Sequence, residues 1–294
     1  MSTPDESSAW ATVFDRAADS YDLAPLSFFD RHADTVIREL RIRPGDRLLD
    51  VATGTGKVAI RAAEAAGASG WVAGVDVSPA MIHVARAKRM SPSIRYAVMD
   101  ARRLGFRDAS FDGLACAFGL TFMRPNVVHV VREMRRVLRP GGLLVVATFA
   151  DGAFSPLLDS FLAALEGVGV PRPRPTSPRW MLLDRRRHLA RALRRGGLTR
   201  TRTFRSETTS MLLEPDEFWT VLNGTAWRSA LGRLPADVSA QVRDALVRGF
   251  EAVRDREGVR LDTSALIGVG MRPPARRASA AAVRLGVGAR GGSG

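Results

Sequence analysis

Cysteine is almost absent from this chain of 294 residues. Cys116 stands alone, which excludes an intramolecular disulfide, a zinc cluster of cysteines and a CxxC redox pair. Lysine is nearly as scarce: Lys57 and Lys88 are the only two among 44 basic residues, so the rest are arginine, and the formal net charge is +14 with a pI near 11.4. Long apolar runs are missing too. The longest, 113–123 and 141–150, fall short of the ~18 residues that cross a bilayer. The opening MSTPDESSAW is polar and acidic, without the basic and then apolar run of a signal peptide. These absences predict a soluble, cytoplasmic protein with no membrane span and no metal centre. At this length a folded chain buries about three quarters of its unfolded surface and needs no covalent staple.

What is present is an alternation of short apolar runs with helical patterns over 47–149. RLLDVA (47–52) reads as a strand ending in the turn TGTG (53–56), followed by a helix, KVAIRAAEAA (57–66). WVAGVDV (71–77) is a second strand, and Ser78-Pro79 offers a hydroxyl cap followed by proline at the first helical position. IRYAVMD (94–100) and FDGLACAFGL (111–120) are the third and fourth strands. Pro125 opens a helix in which Val127, Val130, Val131, Met134 and Leu138 recur at helical spacing. Pro140-Gly141-Gly142 is expected to stop it before a fifth strand, LLVVATF (143–149). Strands separated by helices pair in parallel through right-handed crossovers. The predicted fold is α/β, a doubly wound, mostly parallel seven-stranded sheet with a helical cap.

Beyond 150 the pattern loosens. A helix around 155–166 leads into the proline-rich connector PRPRPTSPRW (171–180), which can be neither regular helix nor central strand. An arginine-rich helix over 184–195, a strand over 199–212, helical runs near 215–231 and 236–256 and a strand near 263–271 follow. The expected organisation is a helical lid (1–40), a cofactor-binding core (41–150), the rest of the sheet with cap insertions (151–271) and a disordered basic tail (272–294).

Gly54-Thr55-Gly56, between a strand and a helix, lets the backbone pass close to a ligand beneath helix N–H groups. With Ala59 it satisfies GxGxxA, a pattern shared with dinucleotide binders. Asp76 ends the second strand, where a carboxylate can accept both hydroxyls of an adenosine ribose. That placement serves NAD and S-adenosylmethionine alike. Asp50 and Asp100 separate them. A fixed charge at Asp50 repels a pyrophosphate but suits an ammonium and a sulfonium. Asp100 can accept from the adenine amine while the Ala101 N–H meets a ring nitrogen. Each acid alone can also serve as a turn or helix cap; together, at the carboxyl ends of successive strands, they point to S-adenosylmethionine.

On these residues the chain resembles the class I S-adenosylmethionine-dependent methyltransferases. DVATGTG is similar to their first motif, with Ala52 in place of the usual first glycine; GVDVSPAMI, which contains Val77, is similar to the second, and VMDARRLGFRDASFD to the adenine-strand motif. CAFGLTFM followed by REMRRVLRPGG resembles the branch of ubiquinone and menaquinone biosynthesis methyltransferases and actinobacterial small-molecule tailoring enzymes. The resemblance implies cofactor contacts at Thr55, Asp76, Asp100, Ala101 and Ala117. It also implies that Tyr21 covers the methionine end of the cofactor and that the N-terminal helical segment lids the site. Tyr21-Asp22 is followed by LAPLSFFDRH, which departs from the quinone enzymes and disfavours a quinone acceptor.

The implied activity is methyl transfer to an oxygen or activated carbon of a small, natural-product-like acceptor. Of the four histidines, His83 and His188 read as structural, His129 as solvent-exposed, and His32, in the lid, is the weak candidate for catalysis. Phe28, Phe29, Trp180, Phe218, Trp219 and Trp227 could line an apolar pocket or merely pack the cap onto the sheet. A methyltransferase fold that keeps the cofactor but catalyses cyclisation or decarboxylation is the alternative. RNA methylation is a lesser one: no Asn/Asp-Pro-Pro-aromatic tetrapeptide follows the fourth strand, and the arginines lie scattered among acids, as in VREMRR (131–136). The near-absence of lysine makes composition bias the better account of the charge, and nucleic acid is not an expected partner.

Overall fold

The computed structural model describes residues 6–88, 90–170, 183–225 and 227–275. Seven strands form one sheet: β1 (Arg47–Val51), β2 (Trp71–Asp76), β3 (Ile94–Val98), β4 (Phe111–Ala117), β5 (Leu138–Phe149), β6 (Thr199–Ser206) and, last in the chain, β9 (Ala265–Met271), in the order β3-β2-β1-β4-β5-β9-β6. The first five run parallel; β9 is antiparallel to both β5 and β6. This is the expected doubly wound sheet. Its central strands are apolar on both faces because helices cover both: Leu48, Leu49 and Val51 of β1 and Leu144, Val145 and Val146 of β5 are all buried.

Helix α3 (Lys57–Ala66) carries Ala59, Ala62, Ala63 and Ala66 against Leu48 and Val72. Helix α4 (Pro79–Ala87) starts as its sequence implies, with the Ser78 hydroxyl accepting from the Met81 N–H at 3.1 Å and proline at its first position. Helix α5 (Val127–Val137) buries Val127, Val130, Val131, Met134 and Val137 on one face. Helix α7 (Arg186–Arg195) packs on the same side of the sheet through Leu189, Ala192 and Leu193. The other face is covered by α2 (Phe28–Leu40), α6 (Leu157–Gly167), α8 (Pro215–Asn223) and α10 (Ala236–Val253), which share one apolar cluster. A short α9 (Arg228–Leu231) follows α8, and α1 (Glu6–Ala17) precedes α2.

Several expectations are corrected. Pro140-Gly141-Gly142 does not separate helix from strand: α5 ends at Val137 and β5 is already extended from Leu138. That early stretch is tied to Arg272, whose N–H donates to the Gly142 carbonyl and whose carbonyl accepts from the Gly141 N–H, both at 2.9 Å. Arg272 also reaches the Arg136 carbonyl at 2.6 Å, so disorder does not begin there. The stretch 199–212 is two strands. β6 joins the sheet, whereas β7 (Thr209–Leu212) pairs antiparallel with an unexpected β8 (Val259–Asp262) in a separate ribbon. Between them Thr208 turns inward, its hydroxyl 2.9 Å from the Thr263 carbonyl. The run 215–231 is likewise broken at Gly224 into α8 and α9. The connector 171–180, Trp180 and the tail 276–294 lie outside the described residues. Among the described residues no helix is long and apolar enough to cross a membrane.

Candidate active site

The parallel strands deliver three carboxylates to one edge of the sheet. Just past β1 the chain reverses through left-handed residues: Ala52 has φ 56°, Gly54 φ 53° and Gly56 φ 87°. Ala52 adopts a conformation that costs a residue with a Cβ about 1 kcal/mol. Its methyl group has room because Gly119 lies opposite, where a Cβ would come within 2.3 Å of it.

Asp50, at the base of this turn, is 2% exposed. Its Oδ2 accepts from the Thr53 hydroxyl at 2.7 Å and from the Ala59 N–H at 3.1 Å, while Oδ1 is buried with no partner. Burial, with Asp76 nearby, pushes the carboxyl up to about 7 against those two hydrogen bonds. Asp76 closes the turn from β2, accepting from the Gly54 N–H and the Ser78 N–H at 2.9 Å each. Burial raises its carboxyl too. Asp100 is differently placed. Its Oδ1 accepts from the Arg102 N–H at 2.8 Å, and Oδ2 from the Ser7 hydroxyl at 2.9 Å and the Arg102 guanidinium at 2.7 Å. Burial opposes ionisation there, but the hydrogen bonds from Arg102 and Ser7 outweigh it and hold the carboxyl below its ordinary value. Both Asp100 oxygens thus already take donors from the chain, and any ligand amine shares them.

Two contiguous cavities follow this edge. The larger, about 830 Å³ with its open mouth included, is lined by Tyr21, Ala52, Gly54, Asp76, Val77, Asp100, Ala101 and Ala117, all expected for the site. The smaller, about 380 Å³, adds Asp50, Thr55, Lys57 and Phe29, and shares Tyr21, Ala52, Gly54, Ala117 and Phe118 with the first. Gly56 lines neither cavity; it shapes the turn. The Thr55 hydroxyl donates to Asp22 at 2.8 Å.

His32 does not line the cavities either. It is 0% exposed, with Nε2 2.8 Å from the Thr263 carbonyl, and its ring packs on Phe118 with centroids 5.5 Å apart. A carbonyl can only accept, so Nε2 carries the proton and Nδ1, buried without a partner, is bare. Of the other aromatic candidates among the described residues only Phe29 lines either cavity; Phe28 and Phe218 are core, Trp227 packs on Phe161, and the Trp219 ring lies under Arg243. His129 and His188 make structural contacts with the Arg102 carbonyl and Asp184.

The N-terminal lid was expected, but not which of its residues form the roof. Ser7, Trp10 and Phe14 of α1 line the larger cavity with Phe122 and Met123. Trp10 and Phe14 meet Phe122 at 4.8 and 5.2 Å between centroids, and Tyr21 stacks on Phe29 at 5.2 Å. The available signal was the Trp10–Phe14 pair, one helical turn apart on α1.

Comparison with known proteins agrees with this geometry. A family model described as the ubiE/COQ5 methyltransferase family matches residues 3–165. A demethylmenaquinone methyltransferase of Beutenbergia cavernae is 39% identical over 150 residues, which are 50% of this chain and 60% of the relative. The ubiquinone/menaquinone biosynthesis C-methyltransferase UbiE of Coxiella burnetii is 33% identical over 153 residues, 49% of this chain and 61% of that one. The chain therefore spans about 60% of the length of the curated relatives it matches. Among solved structures, the YcgJ protein from Bacillus subtilis superposes with a TM-score of 0.53 at 19% identity, covering 83% of this chain and 99% of its own. The phosphoethanolamine N-methyltransferase 2 of Haemonchus contortus, in complex with phosphomonomethylethanolamine and S-adenosylhomocysteine, gives 0.50 at 15% identity, covering 83% of this chain and 52% of its own. At such identities these likenesses speak for the fold alone.

Proposed function

Because the chain belongs to the ubiE/COQ5 methyltransferase family, we propose that it transfers the methyl group of S-adenosylmethionine to an oxygen or an activated carbon of a small apolar acceptor. The observation that carries this reading is Asp50 Oδ1. It is a buried acceptor with no partner, at the inner end of a cavity continuous with the one that holds Asp76 and Asp100. An unsatisfied carboxylate oxygen in such a place fits a cationic N–H donor, which the amino acid end of this cofactor supplies.

When bound, S-adenosylmethionine supplies a methyl group on a positively charged sulfur, open to in-line displacement. In this reading Asp76 would accept the ribose hydroxyls, and Asp100 with the Ala101 N–H would take the adenine edge. Tyr21, Phe29 and Phe118 surround the shared part of the two cavities and exclude water from it. Among the described residues neither cavity is lined by histidine, glutamate or cysteine. Its three aspartates hold the cofactor in this reading. An acceptor that gives up its proton readily, a phenol-like hydroxyl or a carbon between two carbonyl groups, therefore fits best.

Calorimetry with S-adenosylmethionine tests the first step: saturable binding that Asp76→Ala weakens by about 100-fold or more is expected. No binding by the unaltered chain would sink the reading. Incubation with methyl-labelled cofactor and a panel of phenols and dicarbonyl compounds tests the second. Label in the product supports methyl transfer, and conversion of an acceptor with the cofactor unchanged supports cyclisation or decarboxylation instead.

A further inference from the structure

The N-terminal segment, residues 6–26, reaches the rest of the site through polar side chains at three places, and each lies beside one of the three carboxylates. The Ser7 hydroxyl donates to Asp100 at 2.9 Å. Asp15 accepts from the Ser78 hydroxyl at 2.5 Å and the Ala80 N–H at 3.1 Å, in the turn that follows Asp76. Asp22 accepts from the Thr55 hydroxyl at 2.8 Å, in the glycine turn above Asp50.

Asp22 does the most. The only two lysines of the chain both converge on it, Lys57 at 3.1 Å and Lys88 at 2.7 Å. Lys88 also donates to the Thr55 carbonyl at 2.7 Å, so segment, glycine turn and α4 end are drawn to one point. Burial opposes ionisation of Asp22, but the hydrogen bonds from Lys88 and Thr55 outweigh it and keep it a carboxylate. Apolar packing holds the later part of the segment, where Ala17 and Ala18 are buried with Met81 and Phe14 and Tyr21 pack beside them. Among the described residues before Ala17 none is fully buried, and Trp10 and Phe14 face the open cavity beneath them. The first turns of α1, held by the Ser7 contact and by Trp10 on Phe122, move more readily when the polar contacts part.

We propose that Asp22 is a positioning residue for the cofactor: by clasping the N-terminal segment to the glycine turn it keeps Tyr21 and Trp10 over the bound molecule and sets the rate at which it leaves. The proposal rests on the reading that this cleft takes S-adenosylmethionine. Contacts made only after the roof is down slow departure and leave encounter nearly unchanged. Because both ion pairs are partly exposed, with side-chain exposures of 17–32%, salt weakens them and should hasten release.

The test uses the full chain and S-adenosylhomocysteine, with tryptophan fluorescence reporting association and dissociation in stopped flow. Amide hydrogen exchange of residues 6–17 in the ligand-free protein is measured alongside. Asp22→Asn should raise the dissociation rate about tenfold or more, leave the association rate within about threefold, and abolish most of its salt dependence. It should also lower the exchange protection of residues 6–17. Lys88→Gln, which leaves Asp22 in place, should move both readouts the same way by a smaller factor and stands in if Asp22→Asn does not fold. A dissociation rate within about twofold of the unaltered chain, or an effect confined to association, overturns the proposal. If the unaltered chain binds no S-adenosylhomocysteine, the functional reading has failed; the exchange data then still decide the clasp, since unchanged protection in both variants overturns it.

Discussion

Gly56 and Tyr96 meet at the glycine turn so closely that a Cβ on Gly56 would lie 2.4 Å from the tyrosine hydroxyl. That hydroxyl is itself buried and has no hydrogen-bond partner. Gly56 also has φ 87°, so Gly56→Ala meets both a clash and a strained backbone. It should cost about 2–4 kcal/mol in urea denaturation. Tyr96→Phe removes an unsatisfied group and should be neutral or stabilise by up to about 1 kcal/mol. In the double variant the two effects should be less than additive, because the phenyl ring leaves the nearest atom out. Strict additivity would mean the hydroxyl does not set the limit.

Asp50 predicts a dependence on pH with a definite sign. Its carboxyl titrates near pH 3.8 when free and is pushed up to about 7 in the native chain. Between those values the ligand-free native state keeps a proton that the unfolded chain has lost. The stability this contributes is complete below about pH 4 and gone above about pH 7. Asp50→Asn cannot ionise, so it should be more stable than the parent at pH 8, by roughly 1–3 kcal/mol, and equal to it near pH 4. A cationic group at Oδ1 favours the carboxylate, so cofactor binding near pH 6 should release protons. Calorimetry in buffers of different ionisation enthalpy measures that release, and none with a normally binding chain would place the ammonium elsewhere.

Much of the site follows from local pattern, and the remainder depends on distant partners. Strands β1, β2, β4 and the later part of β5 are apolar on both faces, so their runs announce themselves. Asp76 ends such a run and Asp50 lies one residue before the end of another, while Asp100 is legible as the acid that closes IRYAVMD, two residues past β3. The start of β5 is not: Pro140-Gly141-Gly142 reads as a stop, and distant partners, Phe111 beside Leu138 and Arg272 at Gly141 and Gly142, hold it extended. The break between β6 and β7 has the same origin, since Thr208 turns in to meet Thr263 and His32. Ser7, Trp10 and Phe14 sit on a helix whose partners, Asp100 and Phe122, are about a hundred residues away, and no spacing within the helix reveals them.

His32 should prove a stability residue. It joins α2 to the turn before β9 and lines neither cavity, so His32→Ala should cost about 2–4 kcal/mol while leaving cofactor affinity within about threefold. Burial, with Arg31 nearby, lowers its pKa below 6.5 despite the hydrogen bond to Thr263. The unfolded chain is therefore protonated first, and the stability from neutral His32 is present above pH 6.5 and lost as pH falls. This slope is opposite to that of Asp50. Comparing His32→Phe with the parent between pH 5 and pH 8 isolates it: the parent's relative stability should rise with pH. A flat difference would mean that His32 titrates alike in both states.

Cys116 gives a probe that connects stability to the cofactor. It lies in β4 with 0% exposure, and burial, reinforced by Asp50, pushes its thiol far above the ordinary value. A thiol that is neither accessible nor ionised does not react, so labelling must wait for the sheet to open. In native buffer a disulfide reagent should therefore modify Cys116 at a rate set by unfolding, and in urea at once. A ligand held only by the folded chain stabilises it by RT ln(1 + [L]/Kd), about 2.7 kcal/mol at 100 times Kd. Saturating S-adenosylmethionine should accordingly slow labelling by about 100-fold where opening and closing are fast. Asp76→Ala should remove that protection without changing the rate in urea. If labelling in native buffer is already as fast as in urea, Cys116 is reached by a local movement of β4, and the cofactor effect then measures that movement alone.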